Sequence, residues 1–226
     1  MGEHDGHRER LKRRFLDHGL DALPDDQVLE LLLFYALPRR DTNPLARKLL
    51  QHFGSIAAVL DAPLQELKAV AGIGDSAAAL LLLINPLSRR YLLSRSSKGT
   101  VLGSTHACGE YLMPYFFGAT EELVYLLCMD ARCRVLGCRL LQRGNINSAS
   151  FSLRKAAEIA MSLNASSVIL AHNHTSGVAL PSQADFETTR RLRDALEPLD
   201  ILLADHIVVA DNDFVSMADS GYLRSL

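Results

Sequence analysis

The chain has 226 residues, 24 of them Lys or Arg and 26 Asp or Glu, for a formal charge of −2. That balance offers no whole-chain attraction to nucleic acid or to an anionic membrane, and 48% hydrophobic content suits a protein with real cores, in one medium or two small domains. Met1 to Arg14 is polar and charged, unlike a signal sequence, and the longest apolar runs, such as Ala77 to Ile84, are too short to span a bilayer. Cys108, Cys128, Cys133 and Cys138 lack zinc-finger spacing and read as free thiols of a reducing compartment. The expectation is a cytoplasmic protein with no membrane partner.

Residues 1–97 read as all helix. Arg8 to Asp17 forms a charged helix that ends near His18-Gly19. Asp25 or Asp26 caps a second, built on Val28 to Phe34 and stopped by Pro38. Asn43-Pro44 opens a third over Leu45 to Phe53, closed by Gly54, and short helices follow across Ser55 to Leu60 and Leu64 to Val70. Next, Gly72-Ile73-Gly74 separates that last helix from an Ala-rich one beginning near Asp75, an order that resembles a helix-hairpin-helix unit. In such a unit the glycines let another backbone approach, and N–H groups at a helix start can bind a phosphate oxygen. Gly72, Ile73 and Gly74 are therefore the candidate phosphate contacts. Against this, residues 1–97 carry thirteen Lys/Arg and twelve Asp/Glu, and Asp75 puts an anion where a phosphate would sit. Any DNA partner should be held weakly, and a packing or interaction role is the stronger expectation.

Ser94 to Gly99 is polar and marks the expected boundary between domains 1–97 and 98–226. Beyond it, His106 to Phe117 reads as helix, Glu122 to Asp130 and Arg134 to Gln142 as two strands, and Ser152 to Leu163 as an Ala-rich helix. A buried strand, Ser167 to Ala171, leads into a helix from Ser182. Ile201 to Ala210 is another strand, followed by a short one around Phe214-Val215. Helices mixed with partly antiparallel strands indicate an α+β domain with a mixed sheet.

The densest chemistry lies at Ala171-His172-Asn173-His174-Thr175-Ser176-Gly177 and Pro181-Ser182-Gln183-Ala184-Asp185. Side chains alternate along a strand, so His172 and His174 leave its end on one face and can reach one small cation. On a helix starting near Ser182, Asp185 shares a stripe with Thr188, Thr189, Leu192, Ala195, Leu196 and Leu199. This puts a carboxylate on an inward face, where it needs a partner. Two histidines and a carboxylate leave a fourth tetrahedral position for water, as a catalytic zinc site does. The same letters also spell a capping box, Ser182 to Asp185, and a histidine at a strand end is often only hydrogen-bonded. Two other readings fail: an HNH nuclease spreads its residues over a longer unit, and a zinc deaminase needs a Cys-x-x-Cys that is missing here.

The His-x-His-x7-Ser-x2-Asp pattern resembles the JAMM motif of MPN+ metallopeptidases, and Ile169 to His174 with Ser176-Gly177 is similar to the RadC branch. The helical order of residues 1–97 also resembles the N-terminal region of RadC proteins. The resemblance implies an MPN/JAB domain with cytidine-deaminase-like layering, in which His172, His174 and Asp185 hold Zn2+, an upstream glutamate activates water, and Ser182 stabilises the tetrahedral intermediate. It also implies a hydrolase of peptide or isopeptide bonds acting on a protein or peptide substrate. It extends to Asp205-His206, expected to hold a ligand's other nitrogen or to touch substrate, and to the loop Gly144 to Ser148, which includes Asn147. The chain departs from the family pattern at Thr175, where proline is usual, at Asn145, and over Ser152 to Lys155.

The upstream glutamate is Glu121 or Glu122, which strand alternation sends to opposite faces. Glu122 matches the family's glutamate, since it opens the apolar run Leu123 to Leu127 ahead of Asp130. Two alternatives stand beside the hydrolase. One is a DNA-associated repair or recombination protein that uses the hairpin region, with the metal domain accessory. The other is a metal-free scaffold of the MPN− kind, although such domains lack the ligands kept here.

Overall fold

The computed structural model describes residues 3–95, 99–144, 151–211 and 213–224, and the chain divides into two compact units, Met1–Ser88 and Arg89–Leu226. The first unit is helical: α1 Glu3–His18, α2 Asp25–Ala36, α3 Asn43–Phe53, α4 Ile56–Asp61, α5 Leu64–Ala69 and the start of α6 Asp75–Arg95. Local chemistry sets these ends. Asp25 and Asp26 occupy the first turn of α2, where carboxylates favour the helix dipole. Pro44 sits in the first turn of α3, and Gly54 closes that helix at φ 91°, a conformation glycine adopts without strain. The Ser55 hydroxyl accepts the Ala58 N–H to start α4. Leu29, Leu33, Leu49, Leu67, Ala77 and Leu81 make the core. Glu30 is buried within α2, and its carboxylate meets His7 Nε2 at 2.9 Å and accepts from Asn43 Nδ2 at 2.8 Å.

The hairpin between α5 and α6 is explained by packing. Gly72 has φ 110°, and a Cβ there would press on Leu45 Cδ1 at 3.1 Å. The Ile73 side chain is in the core, and its N–H donates to Val70 O at 3.0 Å. Lys48 donates to Ala71 O, Arg40 donates to Gly72 O, and Lys68 pairs with Asp75 at 2.6 Å. The α6 helix is longer than its Ala-rich start suggests and passes Pro86 to reach Arg95. The division between units therefore falls inside it, earlier than the polar stretch Ser94 to Gly99. Arg89 donates to Phe117 O and Gly118 O, both in the second unit. Residues 96–98 lie outside the described residues.

The second unit is α+β. Its elements are α7 Thr105–Phe116, β1 Leu123–Met129, β2 Val135–Arg143, α8 Leu153–Ser162, β3 Ser167–Asn173, α9 Gln183–Leu196, β4 Leu202–Ala210 and β5 Asp213–Ser216. The described residues form a five-stranded sheet in the order β2-β1-β3-β4-β5, with β3 and β4 parallel and the other pairs antiparallel. Val124, Leu126, Val168 and Leu170 turn one sheet face to Ala156 and Ala160 of α8 and to Leu192 and Leu196 of α9. Leu123, Leu127, Ile169, Ala171, Ile207 and Val209 turn the other face to Leu112 and Phe116 of α7. Because helices cover both faces, β3 is apolar almost without interruption and buried from Val168 to Asn173. Gly109 of α7 lies so close to the Phe214 ring of β5 that a side chain there would overlap it. Among the described residues no helix is long and apolar enough to cross a membrane.

Candidate metal centre

His172 is near the end of β3, with its side chain on the face covered by α8 and α9, and His174 follows two residues later. Their Nε2 atoms lie 2.9 Å apart. The α9 helix brings Asp185 to the same point, with Oδ1 3.1 Å from His172 Nε2 and Oδ2 3.4 Å from His174 Nε2. His172 and Asp185 are buried and His174 is partly open. Burial drives the His172 imidazolium down to about 4, outweighing the pull of the Asp185 carboxylate. The ring is therefore neutral near pH 7.

Hydrogen-bond directions follow from one terminal acceptor. The carbonyl of Asp185 can only accept, so the Thr189 hydroxyl donates to it at 2.5 Å. That hydroxyl has no second proton, so across its 2.6 Å contact with His206 Nδ1 the imidazole must donate. His206 is neutral, its charged form strongly disfavoured by burial, so its Nε2 accepts from His172 Nδ1–H at 2.8 Å. His172 Nε2 then carries a lone pair. His174 Nδ1 lies 3.1 Å from Val178 O, a carbonyl that requires a proton on that nitrogen, so Nε2 is the nitrogen of His174 that can offer a lone pair to a metal. Two imidazole lone pairs and a carboxylate thus face one another, an arrangement that suits a shared cation. His206 also has a ring nitrogen near His172 and Asp185, and the ligand atoms of these three lie within 4.8 Å of one another. However, His206 Nε2 addresses the Nδ1 edge of His172, and its Nδ1 is spent on Thr189. The set that converges without breaking this chain is His172, His174 and Asp185.

Asp185 serves the helix as well. Ser182 is the N-cap of α9, and its N–H and hydroxyl donate to Asp185 Oδ2 at 2.7 and 2.6 Å, while its Oγ accepts Asp185 N–H at 3.3 Å. The capping box and the converging cluster are one structure, so the two readings of Ser182 and Asp185 are compatible. The Ser182 hydroxyl proton is engaged with the carboxylate.

Comparison with known proteins gives the family. A RadC-like JAB domain matches residues 102–222, and the UPF0758 N-terminal region matches residues 4–79. A UPF0758 protein of Stutzerimonas stutzeri is 39% identical over 215 residues, 95% of this chain and 96% of that protein. UPF0758 proteins of Ruegeria pomeroyi and Azotobacter vinelandii are each 36% identical, over 96% and 95% of this chain and 97% and 96% of their own lengths. The chain belongs to the RadC (UPF0758) family.

Other residues singled out in this RadC-family sequence are spread more widely. Glu122 immediately precedes β1 and is half-buried; its carbonyl accepts Gly144 N–H at 2.7 Å. Val124 is the last residue of β1 paired with β3, opposite His172, and Glu122 lies two residues beyond that pair. Glu121 is exposed and bound to Arg143 at 2.7 Å. Asp205 does not face the cluster. It accepts from His206 N, Ser216 Oγ and Ala218 N at 2.7, 2.6 and 2.9 Å and so fixes the turn after β5; burial raises its carboxyl pKa. Ser152 caps α8 by accepting Lys155 N–H. Asn147, like Asn145 and Ser148, lies outside the described residues. Gly72, Ile73 and Gly74 belong to the first unit and are not part of this cluster. Two contributors were missed from sequence, Thr189 and Asn173. Thr189 was named only as part of the stripe, and nothing in its letter reveals a bond to a histidine on another strand.

Proposed function

We propose that this chain is a zinc-dependent hydrolase of peptide or isopeptide bonds, acting on a protein or peptide substrate. The observation that carries the reading is the convergence of His172 Nε2, His174 Nε2 and the Asp185 carboxylate within 2.9–3.4 Å of one another, inside a JAB domain. Two imidazoles and one carboxylate fit zinc with an open fourth position, and His172, His174 and Asp185 would hold it. When bound, zinc supplies Lewis acidity that polarises a carbonyl and brings the pKa of water to about 7.

The chain's own residues supply the rest. His206 orients the His172 ring, Val178 O orients His174, and Ser182 steadies Asp185 through two hydrogen bonds. Glu122, two residues beyond the Val124–His172 pair, is the group assigned to take a proton from water and return it to the leaving nitrogen. Ser182 can reach an oxyanion only by exchanging its bond to Asp185 Oδ2 for one to substrate.

The test is elemental analysis of the protein as purified and of its His172→Ala and Asp185→Ala variants. The expected result is one zinc per chain in the first and none in the variants. Full zinc in both variants sinks the assignment. Because two histidines and a carboxylate also suit non-haem iron, iron in place of zinc would move the reading to a different chemistry.

A further inference from the structure

Asn173 sits between the two histidines, buried, and its side chain leaves β3 on the side away from them. Its Oδ1 accepts Leu123 N–H at 2.7 Å, and its Nδ2 donates to Glu121 O at 3.1 Å. These are the two backbone groups that flank Glu122. The last backbone-paired residues of β1 and β3 are Val124 and His172. One step further, the carboxamide of Asn173 stands in for a peptide group and supplies the next rung of the ladder. From the other side, Gly144 N–H donates to Glu122 O at 2.7 Å. The backbone of Glu122 is thereby gripped from β3 by a side chain and from the end of β2 by a peptide group.

We infer that Asn173 is a positioning residue for Glu122, fixing the backbone on either side of it so that its carboxylate is aimed at the His172–His174–Asp185 cluster. The inference rests on the hydrolase reading, in which Glu122 takes a proton at that cluster. Its physical basis is local. A glutamate ahead of a strand has free φ and ψ, and each rotatable bond left free costs precision at the carboxylate. A primary amide carries one acceptor and one donor in a plane, as a peptide does, so it can hold an N–H and a C=O together. Alanine can hold neither. Serine, shorter and with a single hydroxyl, cannot span both.

The experiment uses the full-length protein loaded with one equivalent of Co2+ as a visible probe, in wild type, Glu122→Gln and Asn173→Ala. Three quantities are read: cobalt affinity by chelator competition, the pH midpoint of the cobalt visible spectrum, and amide exchange of the peptide containing Leu123. Affinity should stay within about threefold of wild type in both variants, because His172, His174 and Asp185 are untouched. Glu122→Gln should shift the midpoint by about one pH unit or more, the size expected if the carboxylate removed is aimed at the cluster. Asn173→Ala should shift it in the same direction by about a third of that or more and speed exchange at Leu123. A merely structural role would speed exchange and leave the midpoint unmoved. That result, with Glu122→Gln still shifted, overturns the inference and leaves the hydrolase reading standing. A midpoint unmoved by Glu122→Gln, or a wild type that binds no cobalt, overturns the functional reading and this inference with it. If Asn173→Ala does not fold, Asn173→Ser is read in the same way.

Discussion

Thr189→Val tests the hydrogen-bond chain behind the His172–His174–Asp185 cluster. Valine replaces the hydroxyl by a methyl group of nearly the same size, so packing on α9 is kept while the hydroxyl's three contacts vanish, those to Asp185 O at 2.5 Å, to His206 Nδ1 at 2.6 Å and a longer one to Met217 Sδ at 3.6 Å. The Asp185 carbonyl loses only an extra proton donor. His206, fully buried, is left with an N–H and no acceptor, at a cost of about 1–3 kcal/mol. It can avoid that cost by moving its proton to Nε2, which then points at His172 Nδ1. His172 must in turn place its own proton on Nε2, the nitrogen that faces His174 and Asp185. Either route weakens metal binding, by about 10–100-fold for loss of a supporting partner of this kind. Zinc affinity measured by competition with a chromophoric chelator reads the effect directly. Denaturant unfolding of the metal-free protein separates it from lost stability. A Thr189→Val variant that binds zinc as tightly as wild type refutes the assigned proton directions.

Further outcomes follow from other parts of the molecule. Gly109→Ala drives a methyl group into the Phe214 ring and should cost roughly 1–3 kcal/mol or more, seen as a lower denaturant midpoint; an unchanged midpoint would mean that α7 and β5 separate freely. Metal-free protein should lose stability as pH falls below about 6.5. His172 resists protonation until about 4 when folded, whereas the unfolded chain takes up the proton near the ordinary 6.5, so the unfolded state binds more protons in that window. The slope is about 1.4 kcal/mol per pH unit for each such proton, with His206 acting in the same sense, and a flat profile between pH 7 and 5 contradicts it. Duplex DNA should bind the full-length chain only weakly and with affinity that falls steeply with salt; submicromolar binding at physiological salt, measured by fluorescence anisotropy, would favour a repair role instead.

Legibility in the sequence followed the range of the interaction. The β3 strand announced itself because burial on both faces demands an unbroken apolar run, and α9 because its cap, first turn and apolar stripe agree. The stripe itself ran one step too far. Pro198 lies in a 3-10 turn, Glu197–Leu199, that ends the α-helical period after Leu196, so Leu199 is 39% exposed. The Ser94 to Gly99 stretch looked like a linker from composition, but α6 continues to Arg95 and Arg89 is already tied to Phe117 O and Gly118 O. Asp205 and His206 were one conspicuous pair in the letters. Strand alternation separates them, sending His206 to His172 and Asp205 to Ser216 and Ala218. Asn173 and Thr189 gave no signal, because the meaning of a single polar residue depends on which backbone or ring lies across from it, and that is a matter of register.

The grip on Glu122 also bears on the order in which this domain assembles. His172 meets His206 across 34 residues of chain, and everything between them is the β3, α9 and β4 crossover, so the cluster can close as one local unit. The backbone that carries Glu122 is held only when Leu123 finds Asn173 across 50 residues, and that contact extends the pairing of β1 with β3. Loop closure costs only slightly more for the longer span, but the second event also needs the first strand to be in place. On the hydrolase reading, one segment of chain carries the histidines and aspartate and another carries the carboxylate, and the two can open separately. In native-state hydrogen exchange, the amides of β1 and β2 should open at lower free energy than those joining β3 to β4. The partly open form would then keep its ligand set while lacking Glu122.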